Sequence, residues 1–144
     1  PDVGSVARAR AFSAKLHMAL AIVDKRRQKA NQCEVMNIIG DVKGKTCILF
    51  DDMVDTAGSL CNAANAIKEV GGAARVLACA THGVLSNPAV QRVQDSCIEE
   101  LMLLNTIPLP EEAKGSKIRQ LDVTPLFAEA IRRTFDEVSI SSLF

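Results

Sequence analysis

Thr46-Cys-Ile-Leu-Phe-Asp-Asp-Met-Val-Asp-Thr-Ala-Gly-Ser59 is the stretch whose reading decides the fold. Residues 47–50 form a short apolar run, the pattern of a strand buried on both faces. The run ends at two carboxylates, Asp51 and Asp52, with Asp55 close behind. Thr56, Ala57, Gly58 and Ser59 follow, and then apolar residues at helical spacing (Leu60, Ala63, Ala64, Ile67). The order predicted is therefore strand, polar loop, helix N-terminus. The first amide groups of such a helix have no acceptor in a preceding turn, and together with the helix dipole they suit an anion. Thr56 and Ser59 add hydroxyl donors, and Gly58 lets the backbone curl close around a tetrahedral oxyanion.

Carboxylates beside an anion cradle would repel a ligand that was only a phosphate. They suit one that also carries hydroxyls, because an ionised carboxylate accepts hydrogen bonds and can share a divalent cation. A sugar phosphate with vicinal hydroxyls has that mixture. The loop lacks the lysine of a G-x-x-x-x-G-K-[ST] loop, which disfavours a nucleoside-triphosphate cradle of that type. The plainer reading is a strand-to-helix turn in which Asp55 or Thr56 serves only as the N-cap.

With these residues in view, Asp51-Asp-Met-Val-Asp-Thr-Ala-Gly-Ser59 resembles the phosphoribosyl-diphosphate loop shared by phosphoribosyltransferases and ribose-phosphate diphosphokinases. Three other segments resemble the diphosphokinases in particular (phosphoribosyl-pyrophosphate synthetases, class I). They are Pro1-Asp-Val-Gly-Ser-Val-Ala-Arg-Ala-Arg10, Asp24-Lys-Arg-Arg-Gln-Lys-Ala-Asn31, and the ending from Ala128-Glu-Ala-Ile-Arg-Arg133 to Ser139-Ile-Ser-Ser-Leu-Phe144. The resemblance spans residues 1–144 and corresponds to the carboxyl-terminal half of that family's chain, without its amino-terminal domain. It implies an α/β fold: a parallel-sheet, phosphoribosyltransferase-like (Rossmann-like) three-layer domain.

The activity implied is Mg²⁺-dependent transfer of the diphosphoryl group of ATP to ribose 5-phosphate, giving 5-phosphoribosyl 1-diphosphate and AMP for nucleotide biosynthesis. Residue by residue, the resemblance makes Lys25 and Arg27 catalytic, with Arg27 also reaching substrate, and Asp2 the metal ligand. It gives substrate binding to Asp51, Asp52, Asp55, Thr56, Ala57, Gly58 and Ser59. Ser5 stands where the family usually has a second glycine, and Gln28 where it often has a proline. The family's nucleotide site also draws on an amino-terminal domain and a neighbouring subunit, so the 144 residues alone are expected to bind substrate with very low turnover. A homo-oligomer is implied for the full-length protein. Two alternatives stay open here: a nucleobase phosphoribosyltransferase, and a non-catalytic, synthetase-associated regulatory subunit.

Composition sets the outer bounds. The chain has 144 residues, 48% hydrophobic and 24% charged, which is the make-up of one soluble globular domain. A formal net charge of zero argues against a nucleic-acid binder that relies on bulk electrostatics. With no Trp or Tyr, aromatic platforms for stacking bases are not expected either. No apolar run reaches the roughly 18 residues of a membrane span. Five cysteines without a C-x-x-C pair fit a reducing, cytoplasmic setting, with organellar targeting upstream of Pro1 left open.

Along the chain, residues 1–5 read as a tight loop and a second candidate anion site, and 6–16 as a helix. Residues 17–23 read as a buried strand with His17 at its entry turn. Residues 24–29 read as a basic loop. Further strands are expected at 35–39, 75–80, 101–104 and 118–123. The helix after Ser59 is expected to stop at Gly71-Gly72, a short one to cover 88–94, and a last one to open at Thr124-Pro125. His82 reads as a hydrogen-bonded loop histidine at the carboxyl end of its strand.

Overall fold

The structure is a computed structural model that describes residues 3–26 and 35–143. Four parallel strands form its sheet in sequential order: β3 (Thr46–Val54), β4 (Arg75–Gly83), β5 (Leu101–Leu104) and β6 (Ile118–Leu121). Parallel neighbours need crossovers, and helices α2 (Gly58–Glu69) and α3 (Ala89–Asp95) supply the first two. These helices bury Leu60, Cys61, Ala64 and Ile67 of α2 and Ala89 and Val93 of α3 in one core with Val76, Ala78, Leu101 and Leu103 of the sheet. Helix α1 (Val3–Lys15) lies on the other face of β3, where Phe12 stacks on Phe50 with ring centroids 4.8 Å apart. The α/β parallel-sheet architecture thus agrees with the sequence reading.

Four expectations are corrected. The strand predicted to be buried on both faces and to end before Asp51 is instead the edge strand among the described residues. It continues through the carboxylates to Val54, and Ile48 is 42% exposed. An edge leaves charged side chains in reach of water, so Asp51 and Asp52 need not end the ladder.

The buried strand predicted over 17–23 is absent. His17 turns the chain with φ 52°, residues 17–19 are exposed, and the strand that follows is β1 (Ile22–Arg26). It pairs antiparallel with β2 (Val35–Ile39) in a separate two-stranded sheet. Asp24, Lys25 and Arg26, expected in a loop, therefore carry strand pairing, with Lys25 opposite Met36. Helix α1 begins at Val3 rather than Val6, which places Gly4 and Ser5 in its first turn. The run is free of proline and rich in alanine, and nothing in it delays the helix.

The remaining boundaries agree closely. Helix α2 ends at the glycine pair: Gly71 N–H donates to Ala66 O at 3.0 Å and Gly72 takes φ 71°. The last helix, α4 (Thr124–Phe135), starts with Pro125 in its first turn. It buries none of its residues, and Phe127, Ile131 and Phe135 are 58%, 69% and 88% exposed.

Candidate functional site: the turn from β3 to α2

Strand β3 presents its acids at the carboxyl end of the sheet, where open α/β sheets bind ligands. The ladder to β4 runs Asp51↔Ala80 and then Met53↔His82. Leu49 and Val54 both pack into the same core, although an odd spacing would send them to opposite faces of a regular strand. The alternation therefore breaks at the acidic pair. Asp51 is half-buried, and its Oδ1 accepts a bond from Asp52 N–H at 2.9 Å. Burial pushes the Asp51 carboxyl above its usual range, and the neighbouring Asp52 charge adds to this. Asp52 is exposed, and its Oδ2 accepts from Arg8 Nη2 at 2.8 Å. Arg8 sits on α1, the helix that stacks on Phe50, so one packing contact places both the helix and the acid's partner.

The loop then turns on Ala57, a non-glycine residue at φ 59°, ψ 4° with its side chain buried. Left-handed backbone at alanine is uncommon and costs about 1–2 kcal/mol. Its effect here is to set the amides of successive residues side by side in a concave arrangement. Cys61 N–H closes the first helical bond, to Ala57 O at 3.0 Å. Among the described residues, no acceptor takes the N–H of Ala57, Gly58, Ser59 or Leu60, and no side chain caps the helix. The plainer reading, in which Asp55 or Thr56 is an N-cap, is therefore not what the structure contains. Gly58 is corrected in one respect. Its φ is not positive, and an added Cβ would meet only Arg92 Nη1 at 3.7 Å and Thr56 Oγ1 at 3.9 Å. The curl that the sequence assigned to Gly58 is made by Ala57.

Asp51, Asp52, Asp55, Thr56, Ala57, Gly58 and Ser59 thus follow one another from the end of β3 through the turn into the first residues of α2, with Asp52, Asp55, Thr56 and Ser59 exposed. Lys25 lies in β1 of the other sheet. Asp2 and Arg27 lie outside the described residues, as do residues 28 and 29 of the basic segment 24–29. Among the described residues, no three His, Cys, Asp or Glu side chains gather as a metal site.

Two residues at this end of the sheet escaped the sequence reading. Arg92 of α3 donates from Nη1 to Thr56 O at 2.9 Å, 36 positions away along the chain. Thr106 Oγ1 donates to Thr81 O at 3.1 Å and lies 2.8 Å from His82 Nδ1. A hydroxyl has one proton, so the His82 Nδ1–H is the donor in that contact. His82 is hydrogen-bonded, as expected, but at the end of β4 and not in a loop. No periodicity reveals either contact, because both depend on which strand ends lie side by side.

Elsewhere the thiols Cys47, Cys61, Cys79 and Cys97 are all free. Burial pushes each of them above the ordinary thiol range, which fits inert packing residues better than nucleophiles. Among the described residues, no helix is long and apolar enough to cross a membrane.

Known proteins resemble the chain over its whole length. The chain is 58% identical to the ribose-phosphate pyrophosphokinase of Clostridium perfringens over all 144 of its residues, which cover 45% of that protein. It is 59% identical, with the same coverage, to the ribose-phosphate pyrophosphokinase of Caldanaerobacter subterraneus. Among solved structures, the phosphoribosylpyrophosphate synthetase of Mycobacterium smegmatis superposes with a TM-score of 0.85 at 40% identity, over 95% of this chain and 44% of that one. The chain therefore spans less than half the length of these relatives. The phosphoribosyl synthetase-associated domain matches residues 26–144, most of the chain, and it is to this family that the chain belongs.

Proposed function

We propose that the chain is the ribose 5-phosphate-binding half of a ribose-phosphate pyrophosphokinase, which transfers the diphosphoryl group of ATP to the sugar. The observation that carries this reading is the run of amides at 57–60 that takes no acceptor among the described residues, directly after the two carboxylates Asp51 and Asp52. The amides and the Ser59 and Thr56 hydroxyls hold the 5-phosphate. Asp51 and Asp52 accept from the ribose hydroxyls and so fix the orientation of the anomeric one. Holding the attacking oxygen in line is a large part of catalysis when the protein does little covalent chemistry itself.

The step is a displacement at the β-phosphorus. The anomeric oxygen forms a new O–P bond, the bond between the α,β-bridging oxygen and that phosphorus breaks, AMP leaves, and the hydroxyl proton passes to solvent. Lys25 and Arg27 supply cationic donors where negative charge develops on the transferred group. Mg²⁺, which the family resemblance implies, commonly needs only one or two protein carboxylates, so a single acid would suffice to hold it here. Asp2 would be its protein ligand, and the ion would neutralise phosphate charge. Association into a homo-oligomer and placement in the cytoplasm belong to the same proposal.

Isothermal titration of the 144-residue chain with ribose 5-phosphate tests the reading. Saturable binding that weakens as salt rises is expected, together with only trace AMP formation in a coupled assay. Absence of binding contradicts the assigned site, and brisk turnover by the isolated chain contradicts its dependence on the rest of the relatives' length.

A further inference from the structure

Resting on that reading of the turn, we infer that Arg92 is a positioning residue for phosphate recognition, acting by aiming the Ala57 amide and by adding its charge at longer range from behind that peptide. The Arg92 guanidinium grips Thr56 O from α3 at 2.9 Å. In a planar trans peptide the carbonyl and the next N–H point in opposite directions. Holding the Thr56 oxygen on the Arg92 side therefore directs the Ala57 N–H to the other side, into the concavity formed with the Gly58 and Ser59 amides. Ala57 is the strained member of the loop, at φ 59°. Without the guanidinium, rotation of the Thr56–Ala57 peptide relieves that strain and turns the amide away.

The anchor is firm because α3 is. Ala89 and Val93 are each 0% exposed, and Arg92 N–H is itself bonded to Pro88 O at 3.0 Å. Charge contributes as well. Among the described residues no carboxylate forms an ion pair with Arg92, in contrast to Arg8, Arg75, Arg132 and Arg133. Its positive charge lies close to the start of α2, 3.7 Å from where a Gly58 Cβ would stand. A guanidinium near the start of α2 adds to the positive end of the helix dipole, a longer-range pull on an anion and not a direct contact.

The test compares Arg92→Met and Arg92→Lys with the parent chain, using titrations with inorganic phosphate and ribose 5-phosphate and the Ala57 amide resonance without ligand. Arg92→Met is expected to bind both ligands about tenfold more weakly, within the range for loss of a hydrogen bond to a charged group. Its Ala57 resonance should shift or broaden while the melting temperature stays within a few degrees of the parent's. Arg92→Lys keeps the charge but loses the planar fork, so it should recover part of the affinity and leave the Ala57 resonance displaced. If the parent binds and both variants bind equally well with Ala57 unmoved, the role of Arg92 is overturned and the phosphate site stands. If the parent binds neither ligand, the site and the role fall together.

Discussion

Two strand-to-helix turns lie side by side at the carboxyl edge of the sheet, and they are built alike and finished differently. Each contains a buried non-glycine residue in left-handed backbone: Ala57 at φ 59° between β3 and α2, and Leu85 at φ 52° between β4 and α3. In the second turn three amides, that of the left-handed residue among them, are taken by backbone acceptors. Val84 and Leu85 N–H both bond to Val54 O, at 2.9 and 3.1 Å, and Ala89 N–H bonds to Ser86 O at 2.9 Å. In the first turn the amides from Ala57 to Leu60 have no acceptor among the described residues. The first amides of any helix lack an intrahelical acceptor, and what sets the first turn apart is that the unbonded series reaches back to its left-handed residue, Ala57. The closed turn locks the end of β3 in place, and the open one uses that rigid base to present donors to a ligand. Strain serves packing in one and recognition in the other.

Leu85→Ala makes the largest break in this comparison. The side chain is 4% exposed, and its removal is expected to cost about 2–5 kcal/mol in urea unfolding. Affinity for ribose 5-phosphate in the folded fraction should stay within about twofold if the turn's work is packing. A loss of affinity with stability intact would erase the division between the turns.

Ser59→Asp sharpens the comparison by giving the open turn an internal anion. An acid in the first turn of α2 should raise stability by about 0.3–1 kcal/mol. It should also weaken ribose 5-phosphate binding about a hundredfold, near 2.7 kcal/mol. Stability and affinity moving in opposite directions is the signature of a cradle kept open for a ligand. Both moving down would mark Ser59 as merely structural.

The smallest effect concerns Asp51, whose carboxyl burial holds above its usual 3.8. Above that value, until its raised pKa is passed, the folded chain retains this proton more than the unfolded chain does. Stability therefore falls as pH rises through the window, and the ionised acid is carried at a cost at neutral pH. Asp51→Asn should flatten that slope and be slightly more stable at pH 7, while binding the sugar phosphate less well. Paired urea titrations at several pH values read the difference, and an unchanged slope would remove Asp51 from the account.

Much of this arrangement is legible along the chain because it is local. The sequence of strand, acids, loop and helix is contiguous from Thr46 to Glu69, and the glycine pair that ends α2 follows at once. The parallel α/β architecture follows from short apolar runs at 75–80 and 101–104 alternating with helical segments. What the chain does not display is long-range. Arg8 reaches Asp52 across 44 positions and Arg92 reaches Thr56 across 36, and no pattern in composition brings them together. The antiparallel pair β1 and β2 was hidden for a related reason. The apolar residues 18–23 look like a buried strand in isolation, but pairing with Val35–Ile39 begins only at Ile22, so the ladder takes in the charged residues Asp24 to Arg26. Glycine is the usual carrier of left-handed backbone, so the sequence points to Gly58 for the curl that Ala57 makes. Here the packing of α2 and the grip on Thr56 hold an alanine there instead.

The most direct measurement is an amide-resolved NMR titration of the 144-residue chain with ribose 5-phosphate. Open and closed turns predict that the Ala57, Gly58, Ser59 and Leu60 resonances move together and saturate, while those of Val84 and Leu85 stay near their starting positions. Silent amides at 57–60 under saturating ligand, or equal movement at 84 and 85, would contradict the claim that this fold keeps one turn open to hold a phosphate.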